Sequence, residues 1–164
     1  LSCARLESDS TDYVIRSLPL EQIVKPAVRK YAPMFISKKL SLEMSSLTAT
    51  VLTDEKWAQF IVEQILSNSL KYTRTGSIRI WQKDPAALVI EDTGIGIDPA
   101  DIPRLGERGF TGYNGRLDKK STGIGLYLCK EISRRLSHTL TIESEPGKGT
   151  RVTIDFATRQ LQAE

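Results

Sequence analysis

Apolar residues recur at helical spacing in three segments of the chain. This periodicity predicts helices at about residues 19–36, 55–73 and 124–136, each with one face packed on a core. Asp54 is the expected N-cap of the second helix, because its carboxylate can accept hydrogen bonds from the free N–H groups of a first turn. Gly76 is expected to close the same helix.

Alternating apolar and polar residues predict strands between these helices. We expect three hairpins, which pair residues 39–45 with 49–54, 77–83 with 87–92, and 138–144 with 149–157, after a short extended piece at 13–18. The order helix, hairpin, helix, hairpin, long loop, helix, hairpin favours an α+β sandwich. We therefore predict a mixed, largely antiparallel sheet with the helices on one face.

The stretch between the second hairpin and the last helix has a different character. Residues 94–122 are rich in glycine and charge, and their apolar residues are isolated. A loop of this length inside a compact domain is usually functional or mobile. We interpret it as a lid, with a pocket formed by the loops at one end of the sandwich.

Composition indicates one compact domain. The chain has 164 residues, of which 40% are hydrophobic and 26% charged, enough apolar material for a single core. We expect residues 1–12 to be a linker, residues 13–157 to form the domain, and residues 158–164 to be a tail. Because the chain begins with Leu1, we expect it to be cut from a longer protein.

Charge and cysteine content argue against several classes of protein. The formal net charge is +3, but Lys and Arg are spread along the chain without interleaved aromatic residues, which disfavours nucleic-acid binding. The two cysteines, Cys3 and Cys129, lie far apart without paired spacing, which indicates a reducing compartment. The single His138 cannot complete a zinc site with them, so we expect no structural metal. His138 is interpreted as a surface or half-buried structural residue. No apolar stretch approaches the ~20 residues that span a bilayer, so we expect a soluble piece.

Four polar or amphipathic residues share one face of the second predicted helix, within a sector of about 100°. They are Gln64, Asn68, Lys71 and Tyr72. The simpler interpretation is a solvated face, but Trp57 and Ile61 continue the same stripe and would then be exposed too. The alternative is a binding face, on which an amide and an ammonium one turn apart hold a metal ion and a phosphate, with the Tyr ring beside a base or ribose.

Asp92 ends an apolar strand, where an acidic side chain is often only a turn residue. Gly94 and Gly96 favour a second interpretation, because glycines let the backbone come close to a flat ligand. Ile95 and Ile97 would then supply apolar walls. A carboxylate at the pocket floor can accept a hydrogen bond from an exocyclic amine, which adenine has and guanine lacks at the corresponding carbon.

The last predicted helix begins with the residues Ser121, Thr122, Gly123 and Gly125. A glycine-rich helix start offers free N–H groups and the positive end of the helix dipole, which favour an anion. Taken alone, such a glycine pair is about as often a tight turn as a phosphate site. A phosphate site is favoured because the same chain also has the acidic strand end and the polar helix stripe.

Five segments together resemble the motifs of the catalytic and ATP-binding domain of bacterial sensor histidine kinases. The segments "NSLKYT", "EDTGIGI", "RGF", "TGIGLYL" and "ESEPGKGT" correspond in order and separation to the asparagine box, first glycine box, phenylalanine box, second glycine box and final glycine turn. The resemblance covers about residues 13–157. The segment "GFTGYNGRLDKKSTGIGLYLCK" is also similar to sensor kinases of the bacitracin- and antimicrobial-peptide-response type.

The resemblance implies a fold, two cofactors and a set of roles. The fold is the Bergerat two-layer α/β sandwich, shared with gyrase, the Hsp90 chaperones and MutL, in which ATP and Mg²⁺ bind under a long lid. The implied roles around the base and metal are Asn68 on Mg²⁺, Lys71 on phosphate, Tyr72 near the nucleoside, Asp92 on the adenine amine, Gly94, Gly96 and Ile97 in the base pocket, and Thr150 near the adenine. The implied roles around the phosphates are Gly123 and Gly125 in the phosphate turn with Thr122, Ile124 and Leu126 beside them, Arg108 on the γ-phosphate, and Phe110 packing the lid.

One position departs from the family pattern. One turn before Asn68, many sensor kinases have a second Asn and the related ATPases have a Glu that activates water, whereas this chain has Gln64. An amide cannot act as a general base, which disfavours self-contained ATP hydrolysis. Glu63, the nearest acid, is about 100° away around the helix and should point elsewhere.

The resemblance implies that the domain binds MgATP and transfers the γ-phosphoryl group to a histidine on a separate dimerisation domain of the same kinase, which then serves a response regulator. No acceptor histidine of that kind occurs in this sequence, so the chain alone should bind ATP without labelling itself; residues 1–12 would be the tail of the dimerisation helix. We expect the cytoplasmic portion of a membrane-anchored kinase, without direct membrane contact. Two alternatives stay open: an anti-sigma-factor-type serine kinase of the same fold, and an ATP-sensing interaction module without transfer.

Overall fold

A computed structural model of the chain describes residues 12–104 and 124–157. The strands are β1 (Ile15–Pro19), β2 (Ser41–Met44), β3 (Thr50–Asp54), β4 (Ser77–Lys83), β5 (Ala87–Asp92), β6 (Thr139–Glu145) and β7 (Gly149–Asp155). The helices are α1 (Leu20–Lys38), α2 (Glu55–Tyr72) and α3 (Ile124–Arg135), with a short 3₁₀ helix at Ile102–Arg104. All three predicted helices are therefore confirmed, whereas most of the predicted lid lies outside the described residues.

Five strands form one sheet in the order β2, β4, β5, β7, β6, in which only β2 and β4 are parallel. One side carries apolar residues at every second position, such as Ile80, Ile90 and Val152, which are directly paired and buried in the core shared with the helices. The other side carries charged residues such as Arg79 and Glu91. This alternation buries one face of the sheet under a single layer of helices. The predicted two-layer α+β sandwich with a mixed, largely antiparallel sheet is confirmed.

The first predicted hairpin is wrong. Strand β2 runs parallel to β4, and β3 pairs antiparallel with β1 in a separate two-stranded sheet. The segment between β2 and β3 crosses from one sheet to the other, and the Gln82 side-chain oxygen accepts hydrogen bonds from the N–H groups of Thr48 and Ala49 at 2.8 and 2.9 Å. Buried Leu47 anchors this crossing in the core. Alternation along a strand specifies which face is buried but not which strand is the partner.

Helix α2 begins where the sequence predicts. The Asp54 carboxylate accepts a hydrogen bond from Trp57 N–H at 2.9 Å and another from Val14 N–H at 2.8 Å, so one side chain both caps the helix and holds the N-terminal segment. The helix ends before Thr73, whose backbone is extended. Gly76 does not close the helix as expected, because it lies beyond this end; its φ of +108° serves the turn into β4.

Helices α1 and α2 pack side by side through their apolar faces. Ile23, Val24 and Ala27 of α1 and Ile61 and Leu66 of α2 are almost completely buried in the common core. At the rim of this contact, an ion pair joins the two helices at their exposed edges. None of the described helices is long and apolar enough to cross a membrane.

His138 is a structural residue, but it is buried, contrary to the expected surface or half-buried position. Only 5% of His138 is exposed, and its Nε2 lies 2.8 Å from Thr53 Oγ1. Its ring packs edge-on against the Phe156 ring, with 4.8 Å between the two centroids. Burial lowers the pKa of His138 to about 4, although Asp155 and the Ser137 backbone oppose the shift. The neutral imidazole thus joins the two-stranded sheet to the connection between α3 and β6.

Candidate functional site

The helix-facing side of the sheet changes from apolar to polar at one end. Ile90 and Val152 are paired in the core, and two residues further along the strands Asp92, Thr150 and Ser144 are directly paired across β5, β7 and β6. Because side chains alternate with period 2, this second row lies on the same face as the first. A row of three polar side chains therefore borders the core where β5 ends and β7 begins.

Asp92 is buried in this row, with a residue exposure of only 6%. Its Oδ1 accepts hydrogen bonds from Gly94 N–H at 2.9 Å and Thr150 N–H at 3.1 Å, and the Ser69 hydroxyl of α2 bonds the same carboxyl group. Burial raises the pKa of Asp92, and these three hydrogen bonds oppose the rise because they favour the charged form. A carboxylate has about four lone-pair sites, so capacity remains for a donor on a ligand.

Gly94 and Gly96 make close backbone approaches, and the atoms that they approach belong to the protein. A Cβ at residue 94 would lie 2.5 Å from the carbonyl oxygen of Tyr72 and 2.9 Å from Asp92 Oδ1. A Cβ at residue 96 would overlap the carbonyl oxygen of Glu145, and the φ of +78° there is itself in the region that glycine favours. Both glycines are therefore required to pack this loop between the end of α2 and the turn from β6 to β7, with or without a ligand.

Three hydrogen bonds fix the loop that follows Asp92. Ile95 N–H donates to the carbonyl oxygen of Tyr72 at 3.1 Å, and Gly147 N–H donates to the carbonyl oxygen of Ile95 at 2.8 Å. Ile97, which is half-buried, donates its N–H to Ser144 Oγ at 2.8 Å. The loop is thus attached both to α2 and to the hairpin of β6 and β7.

The polar stripe of α2 begins in the core and ends at the surface. Trp57 and Ile61 are only 3% and 1% exposed, so the stripe is not a solvated face. The half-buried residues of the stripe are Gln64, Asn68 and Tyr72, and its exposed residue is Lys71. Since the Ser69 hydroxyl bonds Asp92, the adjacent Asn68 lies at the same end of the fold as the polar row.

The start of α3 lies against this stripe. A Cβ at Gly125 would overlap the side-chain oxygen of Gln64, so Gln64 occupies the space that the glycine leaves. Gly125 and Leu126 in the first turn of α3 are half-buried, and the helix begins at Ile124. The free N–H groups of a helix lie at its start. The polar row, the stripe and these N–H groups therefore meet at one end of the molecule.

Glu63 points away from the stripe, as predicted. Its carboxylate forms an ion pair with Lys30 Nζ of α1 at 2.7 Å. Gln64, the adjacent residue on the stripe, is a neutral amide and cannot take a proton from water. At the surface end of the stripe, Lys71 Nζ lies 5.9 Å from the ring centroid of Tyr72.

Sequence reasoning missed three hydroxyl residues at this site: Ser69, Thr73 and Ser144. Ser69 bonds Asp92, and Ser144 Oγ lies 2.8 Å from Thr150 Oγ1. Thr73 is fully buried, and its Oγ1 has no hydrogen-bond partner within the described residues. Small hydroxyl residues give no periodic signal, and only the pairing register of β5, β7 and β6 could have revealed Ser144.

Four predicted site residues lie outside the described residues, namely Arg108, Phe110, Thr122 and Gly123. Their expected roles in the lid and in the phosphate turn stay predictions. The structure thus brings together the predicted base-side residues and the second half of the predicted phosphate turn.

Comparison with known proteins agrees with the motif resemblance. Residues 53–160 match the family described as Histidine kinase-, DNA gyrase B-, and HSP90-like ATPase. Sensor histidine kinase YxdK of Bacillus subtilis (strain 168) is 34% identical over 165 residues, which cover 97% of this chain and 51% of that protein. Sensor histidine kinase GraS of Staphylococcus haemolyticus (strain JCSC1435) is 36% identical over 160 residues, which cover 95% and 46%. The chain spans about half the length of these relatives, which support the resemblance to the bacitracin- and antimicrobial-peptide-response type.

Solved structures share the fold. Full-length ShkA in complex with AMPPNP has a TM-score of 0.79 at 19% identity, covering 93% of this chain and 33% of that one. The nucleotide-free catalytic domain of histidine kinase ThkA has a TM-score of 0.75 at 13% identity, covering 88% and 96%. Because the matching family covers more than half of the sequence, the chain belongs to the histidine kinase-, DNA gyrase B- and HSP90-like ATPase family.

Proposed function

We propose that this domain binds MgATP and transfers its γ-phosphoryl group to a histidine on a separate dimerisation domain of the same protein. The observation that carries the proposal is the buried carboxylate of Asp92, which hydrogen bonds from Gly94, Thr150 and Ser69 hold beside the polar stripe of α2. A buried acceptor next to an amide and an ammonium suits a ligand with an amine at one end and phosphates at the other.

The surroundings of Asp92 support adenine as the base. Two backbone N–H groups occupy Oδ1, and the remaining lone pairs can accept a hydrogen bond from an exocyclic amine. Such a bond to an ionised acceptor is stronger than one between neutral groups. Guanine would present a carbonyl oxygen at the corresponding carbon, and a buried pair of acceptors without a hydrogen between them is unfavourable.

Asn68, Lys71 and the start of α3 are proposed to hold the metal ion and the phosphates. Mg²⁺ keeps several waters and takes phosphate oxygens and few protein ligands, so one amide oxygen from half-buried Asn68 fits it. When bound, Mg²⁺ supplies neutralisation of the phosphate charge. Exposed Lys71 offers the phosphates an ammonium group on a four-carbon side chain. The first N–H groups of α3, around Gly125 and Leu126, offer donors to the same anion.

The same site favours transfer to a positioned acceptor over hydrolysis. Gln64 cannot activate water, and Glu63 is held by Lys30. Phosphoryl transfer relies mostly on positioning and electrostatic stabilisation, which this arrangement can provide without a base of its own. The single histidine of the chain, His138, is buried against Thr53 and cannot reach a bound nucleotide. The acceptor histidine is therefore proposed to lie on another domain.

The acceptor domain is proposed to lie in a part of the protein outside this chain. The sensor-kinase relatives are about twice as long as this chain, and we propose that the dimerisation domain, of which residues 1–12 would be the tail, belongs to the other half. Residues 13–157 would form the ATP-binding domain and residues 158–164 a tail. A response regulator would take the phosphoryl group from the histidine, on the cytoplasmic side of a membrane-anchored kinase.

The test is to mix the chain with the histidine-bearing dimerisation domain of the same kinase and ATP labelled at the γ-phosphate. We expect acid-labile, base-stable label on the dimerisation domain, and much less label at an ATP concentration near the wild-type Kd when Asp92→Asn replaces the wild type. Label on a serine of another protein would support the anti-sigma-factor-type kinase instead. Nucleotide binding with no label anywhere would support the sensing module, and a chain that does not bind ATP would refute all three.

A further inference from the structure

Ser144 has three hydrogen-bond contacts in the polar row. Its Oγ lies 2.8 Å from Ile97 N, 2.8 Å from the carbonyl oxygen of Gly149 and 2.8 Å from Thr150 Oγ1. The first two contacts have fixed directions, because an amide N–H only donates and a carbonyl oxygen only accepts. The third joins two hydroxyl groups, and either of them could donate.

Counting hydrogens settles the direction of the third contact. A serine hydroxyl has one hydrogen and two lone pairs. The hydrogen of Ser144 goes to the carbonyl oxygen of Gly149, which has none to give, and one lone pair accepts Ile97 N–H. The contact with Thr150 is then a hydrogen bond only if Thr150 donates its own hydrogen to Ser144. Thr150 Oγ1 consequently presents only lone pairs to any other neighbour.

Thr150 is directly paired with Asp92 on the helix-facing side of the sheet, and its N–H bonds Asp92 Oδ1 at 3.1 Å. Two acceptors, a carboxylate and a hydroxyl oxygen, therefore stand side by side. We infer that Ser144 is a positioning residue that fixes the Thr150 hydroxyl as an acceptor, so that the site selects a 6-aminopurine over a 6-oxopurine. This inference rests on the proposed function, because it requires the base to lie against Asp92.

Asp92 alone would discriminate incompletely between these two classes of purine. ATP has an amine at C6 and an unprotonated N1, whereas inosine triphosphate has a carbonyl at C6 and an N–H at N1. A carboxylate can accept a hydrogen bond from the amine of the first or from N1–H of the second. The oxygen of Thr150 opposes the C6 carbonyl only while Ser144 holds its hydrogen. Once released, the hydroxyl can turn and donate to that carbonyl.

The test is the ratio of the Kd for inosine triphosphate to the Kd for ATP, measured by calorimetry on the 164-residue chain with Mg²⁺. Ser144→Ala is expected to lower this ratio about three- to tenfold, the effect of one neutral hydrogen bond. Ser144→Thr keeps a hydroxyl and should retain the wild-type ratio. In a Thr150→Val background, Ser144→Ala should leave the ratio unchanged, since no hydroxyl remains to turn.

Thr150→Val alone tests the sign of the effect, whether or not Ser144→Ala folds. If Thr150 is an acceptor, its removal weakens ATP binding and relieves the opposition to inosine triphosphate, so the ratio falls. A rise would show that Thr150 donates to the base and would overturn the inference. So would a Ser144→Ala variant in which both Kd values increase equally. A wild-type chain that binds neither triphosphate would overturn the proposed function itself.

Discussion

The side-chain oxygen of Gln64 lies in the space that a Cβ at Gly125 would occupy, which joins α2 to the first turn of α3. The sequence suggested that this glycine leaves room for a phosphate. The structure shows that it already leaves room for an amide of the same protein. Because that amide is the end of a flexible side chain, Gly125 can leave room both for the amide and for a phosphate. Substitutions at Gly125 and Gln64 can separate these two roles.

Gly125→Ala should weaken ATP binding without unfolding the domain. The added methyl group displaces only the end of Gln64, and alanine in a helix is favoured over glycine by about 0.5–1 kcal/mol, so Tm should not fall. ATP affinity should fall about tenfold or more, because the methyl group keeps the phosphate away from an N–H group of the first turn. This is the effect of losing a hydrogen bond to a charged group. Calorimetry on Gly125→Ala and on the double variant with Gln64→Ala decides the cause. The loss should persist in the double variant, and full recovery there would assign the glycine to Gln64 alone.

Asp92→Asn should reduce ATP affinity at least about tenfold, since it replaces a charged acceptor with an amide that also carries hydrogens. Asparagine keeps one oxygen for the N–H groups of Gly94 and Thr150, so the loop after β5 should keep its shape. The matched control is Glu91→Gln, the adjacent residue on the opposite face of the sheet, whose carboxylate pairs with Arg151 at 2.7 Å. Calorimetry should show an unchanged affinity in the control, and equal losses in both variants would argue against a role of Asp92 in binding.

The same Asp92→Asn substitution should not destabilise the fold at neutral pH. The pKa of Asp92 is raised in the folded state, mainly by burial, so the folded state binds this proton more tightly than the unfolded state. The carboxyl group therefore costs stability progressively as pH rises from its ordinary pKa of 3.8 through the raised folded value, and asparagine removes that cost. Thermal unfolding at pH 7 should give the variant a Tm equal to or above that of the wild type. A clearly lower Tm would mean that the Asp92 carboxylate stabilises the folded state, contrary to this prediction.

Ser69→Ala should weaken ATP binding about three- to tenfold by acting through Asp92. The substitution removes one of the three hydrogen bonds that oppose the raised pKa of Asp92, so the carboxyl group should keep its proton to a higher pH. Ser133→Ala is the matched control, because the Ser133 hydroxyl is buried and has no hydrogen-bond partner within the described residues. Affinity measured between pH 5 and 8 should fall on the acidic side at a higher pH in Ser69→Ala only. The same pH dependence in both variants would contradict the proposed coupling between Ser69 and Asp92.

Asp92 could be located from the sequence because two local signals coincide at it. The apolar strand ends there, and the glycines that follow mark a close backbone approach, although the structure shows that Tyr72 and Glu145 are what they approach. The stripe of α2 was equally visible, because helical periodicity placed Trp57 and Ile61 on it and predicted that it could not be wholly solvated. Local periodicity therefore sufficed for the fold class and for the placement of Asp92 and of the α2 stripe, whose roles in binding stay predictions.

What the sequence could not reveal depends on pairing between distant strands. The crossing from β2 to β3 rests on Gln82, more than thirty residues away, which takes the place of a turn. Ser144 becomes visible only when β5, β7 and β6 are placed in register, because nothing in its own neighbourhood distinguishes it from a solvent-facing strand residue. Such contacts are set by the packing of the whole domain, which a local pattern does not encode.

His138 should make the domain sensitive to mild acid. Its pKa is lowered by burial from 6.5 to about 4 in the folded state, so the unfolded state binds more protons between these values. Stability is therefore fully present above about pH 6.5 and is lost as pH falls towards 4, by roughly 2 kcal/mol at pH 5. Urea unfolding between pH 5 and 7.5 should show this slope in the wild type. His138→Gln offers an amide to Thr53 Oγ1 without titrating, so its free energy of unfolding should depend less on pH. Identical slopes in the two proteins would assign the acid sensitivity to other groups.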